Sequence, residues 1–213
     1  MQAGGASLNE DMRMLIKQFQ DEAASSGATV YVVNNEAEIC DQILRLAHER
    51  KCDTTVVAGA GLVPASGLKN VLVNAGIEVV ETAFKLGLND HVNADMLRAH
   101  LRQKYIDADL GITEADAGIA ETGTLIICGN EGNERLTMIL PRIHVTLIKS
   151  NDLVSTMEDA VVKIKAFSDR FPRYITYLTG RNTTGDIPGA LSARAQGPEE
   201  EVVIVLSTAN ESC

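Results

Sequence analysis

"GITEADAGIAETGTL" occupies residues 111–125. It carries three carboxylates, Glu114, Asp116 and Glu121, with three glycines and three threonines, and it has no basic residue. It lies between apolar runs that read as buried strands, and "TLIICG" (124–129) follows from it directly. Outwards from this stretch, β-branched and aliphatic runs recur at 28–33, 54–59, 77–81, 144–148, 174–180 and 201–207, and each reads as a strand. The segments between them have helical periodicity. Leu8, Met12, Leu15, Ile16 and Phe19 share one face of a first helix. Asn35 with Glu38, and Ser155 with Glu158, have capping-box spacing ahead of two others. Leu136, Ile139 and Leu140 point inwards on a short helix that Pro141 stops, and Met157, Val161 and Ile164 do so on a later one.

Strands that alternate with helices and are apolar almost throughout imply an α/β fold, a parallel sheet covered on both faces. The expected organisation is an N-terminal helical segment, residues 1–27, packed on a single α/β domain, residues 28–213. Ligands of such sheets bind beyond the carboxyl ends of the strands. The loops after 54–58, 124–128 and 174–178 are the candidates, with 111–123 leading into one of these strands.

The formal net charge of −10 argues against a nucleic-acid or anionic-membrane partner. Trp is absent and aromatics make up 4%, so base-stacking platforms are not expected. No apolar run is long enough for a membrane span, and Met1–Asp11 has no signal-peptide pattern, which points to the cytoplasm. Cys40, Cys52, Cys128 and Cys213 form no CxxC pair, and no HExxH occurs. No metal, flavin or iron–sulfur cofactor is therefore expected, and a redox role would be borrowed from partners.

Four groups of residues could carry chemistry. The turn "AGAGL" (58–62) places Gly59 and Gly61 just after a strand, where backbone N–H groups can face an anion. "TGRNTTGD" (179–186) offers Gly180, Arg181, Thr183, Thr184 and Asp186 as an anion cradle, or else a solvated polar loop. Glu121, followed by Thr122, Gly123 and Thr124, sits at an element end where a carboxylate can be a base or nucleophile. Equally, it can cap backbone N–H groups or pair with Arg142. His144, after Pro-Arg-Ile, is either catalytic or a hydrogen-bonded core histidine. The sheet rule gathers Glu121, the two glycine loops and Arg142 or His144 into one cleft. It leaves Glu114 and Asp116 as peripheral turn and capping residues.

"GITEADAGIAETGTL", "RLTMILPRIHV" (135–145), "TGRNTTGDI" (179–187) and "QGP" (196–198) resemble, in order, the motifs of the lactate-utilisation (LUD) domain family. The match runs from about residue 55 to 206 and is densest over 107–198. The resemblance implies a three-layer NagB/RpiA/CoA-transferase-like fold. It also implies a part in oxidising lactate to pyruvate beside iron–sulfur subunits, with a small anionic ligand. The chain looks like the stand-alone component of such a system, or a shortened relative of the one fused to a ferredoxin-like segment. It departs from the family pattern at Gly180-Arg181-Asn182, often Gly-Pro-Ser, and at Gln196-Gly197-Pro198, often His-Gly-Pro. A role that needs that histidine does not carry over. The alternatives are a stand-alone isomerase or CoA-transferase-like enzyme, with Glu121 as base or nucleophile and the glycine loops on phosphate, or a ligand sensor without catalysis.

Overall fold

The computed structural model describes residues 10–80, 102–129, 133–166, 172–180, 183–187, 190–193 and 197–208, without the side chains of 133, 183–187 and 190–193. Helix α1 (Glu10–Ser25) leads into β1 (Thr29–Val33), α2 (Glu36–Arg50) and β2 (Thr54–Val57). Short helices α3 (Leu62–Ala65) and α4 (Leu68–Asn74) precede β3 (Glu78–Val80). A helical segment, α5, covers 102–107. Then come β4 (Leu110–Glu114), β5 (Ala117–Ile119), β6 (Thr124–Gly129), α6 (Asn133–Ile139), β7 (Ile143–Lys149), β8 (Leu153–Val154) and α7 (Met157–Lys165). Strands β9 (Tyr174–Thr179), β10 (Thr183–Ile187), β11 (Ala190–Ala193) and β12 (Glu200–Leu206) complete the order. Among the described residues no helix is long and apolar enough to cross a membrane.

Six strands form a parallel sheet in the order β1-β12-β7-β4-β2-β3, flanked by helices, as the alternating pattern implies. One face is closed by α2, α3 and α4: Ile39, Ile43, Leu46, Leu62, Leu68 and Leu72 pack on Ile112, Val145, Leu147 and Ile204. Helix α2 has the predicted cap, since the Asn35 side chain accepts from Glu38 N at 3.0 Å and the Glu38 carboxylate accepts from Asn34 N at 2.8 Å. The other face receives Ile16, Phe19 and Ala23 of α1 together with Leu125 and Ile127 of a second sheet.

That second sheet corrects the single-sheet expectation. Strands β6 and β9 do not join the parallel sheet; they pair antiparallel with each other in a four-stranded sheet of order β8-β5-β6-β9. The rule that places ligands at the carboxyl edge of a parallel sheet therefore does not apply to the ends of β6 and β9. The acidic stretch is also not a lead-in. Residues 110–114 are β4, inside the parallel sheet between β7 and β2, and residues 117–119 are β5 of the second sheet. The chain changes sheets at Ala115 and Asp116, and two of the three acids mark that crossing. Within "RNTTGDIPGALSA" the expected polar loop contains a β10–β11 hairpin.

Two helices are rotated from their sequence reading. On α6, Thr137 and Met138 are buried, while Leu136 and Ile139 are exposed. Gly111 of β4 lets the Thr137 carbonyl come so close that no β-carbon would fit between them. On α7 the capping box is Thr156 with Asp159, one residue beyond the predicted pair. The buried positions are accordingly Ala160 and Ile164, with Met157 exposed.

Candidate functional site at the carboxyl edge

The parallel strands start in step and end on one edge, where Val57 of β2, Glu114 of β4 and Lys149 of β7 finish. The 58–62 turn lies there, and its anion is supplied by the chain. Glu114 accepts from Gly61 N at 2.8 Å and from Val63 N at 2.6 Å. A β-carbon at Gly59 would stand 2.5 Å from the Glu114 carboxylate, so the glycine is required by this close approach. The expectation of Glu114 as a capping residue fits this geometry. The Gly61 N–H expected to face a bound phosphate is already committed.

Beside this turn is a cavity of about 240 Å³ lined by Gly61, Glu114, Asp116, Lys149, Asp152 and Lys163, among others. Each group comes from a different place in the fold. Asp116 occupies the crossing between sheets, and its carboxylate accepts from Cys128 N on β6 at 2.7 Å. Burial holds the Asp116 carboxyl above the ordinary aspartate range, opposed by the Cys128 hydrogen bonds and reinforced by the charges of Asp152 and Glu114. Lys163 of α7 donates to Asp152 at 2.6 Å and to the Asn151 carbonyl at 3.3 Å. Lys149 is exposed and has no ion pair among the described residues.

Among the described residues, Glu121, Arg142 and His144 do not share a cleft. Glu121 is exposed, and its carboxylate accepts from Met157 N at 2.9 Å, at the N-terminus of α7. Its own N–H donates to the Ser155 carbonyl at 3.2 Å. Thr122 donates to Thr124 at 2.7 Å, and Thr124 meets Thr179 at 2.8 Å, so these hydroxyls join β6 to β9. Gly123 and Gly180 have φ of 63° and 59°, and both press on the end of α1, at Ala23 and Ser26 respectively. Arg142 precedes β7 on the opposite, amino edge, where it donates to the Arg50 carbonyl at 3.0 Å and faces Asp109 at 3.7 Å. His144 has no solvent exposure. Its Nδ1–H donates to Glu201 at 2.9 Å, and Nε2 meets the Thr113 hydroxyl at 2.8 Å. Arg181 lies outside the described residues, as do the side chains of Thr183, Thr184 and Asp186.

The sequence patterns do not single out Lys149, Asp152 or Lys163, and they leave Asp116 peripheral. The available signal was positional: Lys149 ends an apolar strand, the place where the sheet rule puts ligands. The three described cysteines are free thiols, Cys40 on α2, Cys52 between α2 and β2, and Cys128 on β6. Burial pushes Cys52 up to about 11 and Cys128 up to about 12, so neither is poised as a thiolate ligand.

A model of the LUD domain matches residues 16–206. The chain belongs to the LUD domain family. Lactate utilization protein B of Geobacillus thermodenitrificans is 26% identical to this LUD chain, covering 95% of it and 50% of the relative. The protein of the same name from Bacillus subtilis is 26% identical over 92% of the chain and 48% of its own length. The Escherichia coli "Uncharacterized electron transport protein YkgF" is 23% identical over 89% and 47%. The chain thus spans about half the length of the curated relatives it matches. A crystal structure of a DUF162 family protein from Deinococcus radiodurans superposes with a TM-score of 0.64 at 21% identity, covering 92% of this chain and 98% of that one. It shares the fold.

Proposed function

We propose that this LUD-domain chain takes part in the oxidation of lactate to pyruvate beside iron–sulfur partner subunits, and that it binds a small anionic ligand. The observation that carries the reading is the family match over residues 16–206 together with relatives named lactate utilization protein B. The oxidation removes two electrons and two protons from the substrate's C2 alcohol, and the partner subunits accept the electrons. This chain's own residues bind and orient the substrate. The free thiols suit a reducing cytoplasm. Purified chain should not turn lactate over with an artificial acceptor until the partner subunits are added. Turnover by the chain alone would refute the reading.

A second reading, a stand-alone isomerase or CoA-transferase-like enzyme, is favoured by one observation: the raised proton affinity of Asp116 suits general acid–base work. Its original candidate, Glu121, is held at the start of α7. Partner-free turnover of a sugar phosphate or acyl-CoA would establish it. Saturable ligand binding with no turnover in either setting would point to a sensor.

A further inference from the structure

We infer that β9 is a docking edge for a second copy of this chain, which pairs its own β9 antiparallel to it across a two-fold axis and joins the two four-stranded sheets into one of eight. Among the described residues β9 pairs with β6 alone, over all six of its residues and without a bulge. Folds commonly guard an open edge with Lys, Pro, a bulge or a very short strand. Strands β3 and β8 have three and two residues. Strand β9 reads Tyr-Ile-Thr-Tyr-Leu-Thr, with no charge, Pro or Gly. Tyr177, in its middle, is 47% exposed. Its neighbour across β6, Ile126, is fully buried in a cluster with Ala160 and Ile164 of α7. The cover on this face thus stops one strand short of the edge.

Charge selects the occupant. Arg173 directly precedes β9, and Arg135 of α6 stands over the Tyr174 ring at 5.5 Å. Both arginines are exposed, while Glu134 beside them is half-buried and accepts from the Tyr174 hydroxyl. The amino end of the edge is therefore basic. At the other end Thr179 meets Thr124, which is bonded to Thr122 next to Glu121. Gly123 lies there against the backbone of Glu22 and Ala23. Glu22 and Glu121 are both exposed, so the carboxyl end is acidic. A parallel partner would set like ends together. A two-fold axis sets the basic end of each copy on the acidic end of the other, which is the self-complementarity of an isologous contact. The net charge of −10 opposes any association that lacks such matching. Opposed residues of an antiparallel pair point to the same face, so the axis falls on a residue. With Tyr177 on it, the two Tyr177 rings stand side by side beyond α7. Ile175 then meets the second copy's Thr179, and Arg173 passes that threonine to reach the Glu121 end. Pairing uses up β9 of both copies, so growth stops at two.

Sedimentation of the full chain at about 100 μM tests this, since a contact with a Kd of about 10 μM leaves most of it dimeric there. The chain should run at twice its single-copy mass and fall to one copy on dilution to about 1 μM. Tyr177→Lys should weaken the dimer by about tenfold or more, while Val162→Lys, an exposed control on α7, should not. Arg135→Glu should weaken it too, and Arg135→Glu with Glu22→Arg should restore it with the charges exchanged. Thermal melts check that each variant is folded. Hydrogen exchange of the parent needs no variant at all. The amides of 174–179 should slow between about 1 and 100 μM, and those of β1, the other long edge, should not. A monomer at the higher concentration overturns the proposal. So does a dimer that Tyr177→Lys leaves intact, or protection that arises on β1 instead of β9. A dimer indifferent to Arg135→Glu, or not restored by the paired exchange, removes the charge matching that selects a second copy, and the proposal fails with it.

Discussion

His144, within the parallel sheet, and Asp116, at the crossing between the two sheets, respond to substitution in opposite ways. His144 is sealed between Thr113 and Glu201, and Thr146 donates to the same Glu201 carboxylate at 3.3 Å. Glu201 is only 2% exposed. Removing the ring strands a buried carboxylate. His144→Leu should cost about 3–5 kcal/mol in chemical denaturation. His144→Leu with Glu201→Leu should recover most of that, because the stranded charge is gone. A double-variant loss equal to the sum of the His144→Leu and Glu201→Leu losses would show that the pair is not coupled. Asp116 runs the other way. Its carboxyl titrates above the unfolded value, so its contribution to stability is fully present below that unfolded value and is lost as pH rises through the folded one. Above the unfolded value the raised proton affinity is a cost to stability. Asp116→Asn should therefore melt higher than the parent at pH 7, and the difference should shrink as pH falls below the ordinary aspartate range. A lower melting temperature at pH 7 would contradict the burial argument. The thiols give an independent check on burial. Cys52 and Cys128 should resist iodoacetamide at pH 7.5 in the folded chain and label on unfolding, followed peptide by peptide by mass spectrometry.

Glu121 matters at the scale of the element it starts. Its carboxylate meets the first N–H of α7, which also carries the Thr156–Asp159 box. Glu121→Ala should cost about 0.5–2 kcal/mol, the range of a lost N-terminal cap. Glu121→Gln keeps an acceptor and should lose only about 0.3–1 kcal/mol of charge–dipole attraction. Loss of lactate-dependent growth in Glu121→Gln at near-parental stability would instead restore its catalytic candidacy. The same residue shows where sequence reading reached its limit. Apolar runs and caps revealed the strands and α2 because those signals are local. The placement of β6 and β9 is non-local. Nothing in "TLIICG" distinguishes a parallel strand from an antiparallel one when both faces are buried. A reading that puts β6 in the parallel sheet applies the edge rule to a strand outside that sheet. The glycines show the same limit. Gly59, Gly123 and Gly180 do mark close approach, but of Glu114 and the end of α1, which no spacing in the sequence reveals. The edge rule itself succeeded where its strands were right: β2, β4 and β7 do end together around a cavity.

Across the whole molecule, α1 holds the two sheets together. Phe19 has no solvent exposure, and Ile16 and Ala23 are nearly as buried. Their cluster includes Val203 and Val205 of the parallel sheet and Leu125 and Ile127 of the second one. Gly123 and Gly180, which have backbone conformations that L side chains rarely adopt, lie against Ala23 and Ser26 at its end. A helix merely resting on a finished domain would not make all of these contacts. The expected division into a helical segment, residues 1–27, and a domain, residues 28–213, is open to a direct test by removing the segment. Phe19→Ala should cost about 3–5 kcal/mol, since the cavity left behind is walled by both sheets and has little room to collapse. Gly123→Ala should add strain of about 1–2 kcal/mol before any clash with Ala23 is counted. A chain starting at Ala28 exposes the inner faces of both sheets at once. It should fail to give a cooperative thermal transition and should bind a hydrophobic dye, whereas one starting at Glu10 should melt like the parent. Retention of a sharp transition by the shorter chain would mean that the two sheets hold together without the helix, and α1 would then be an accessory after all.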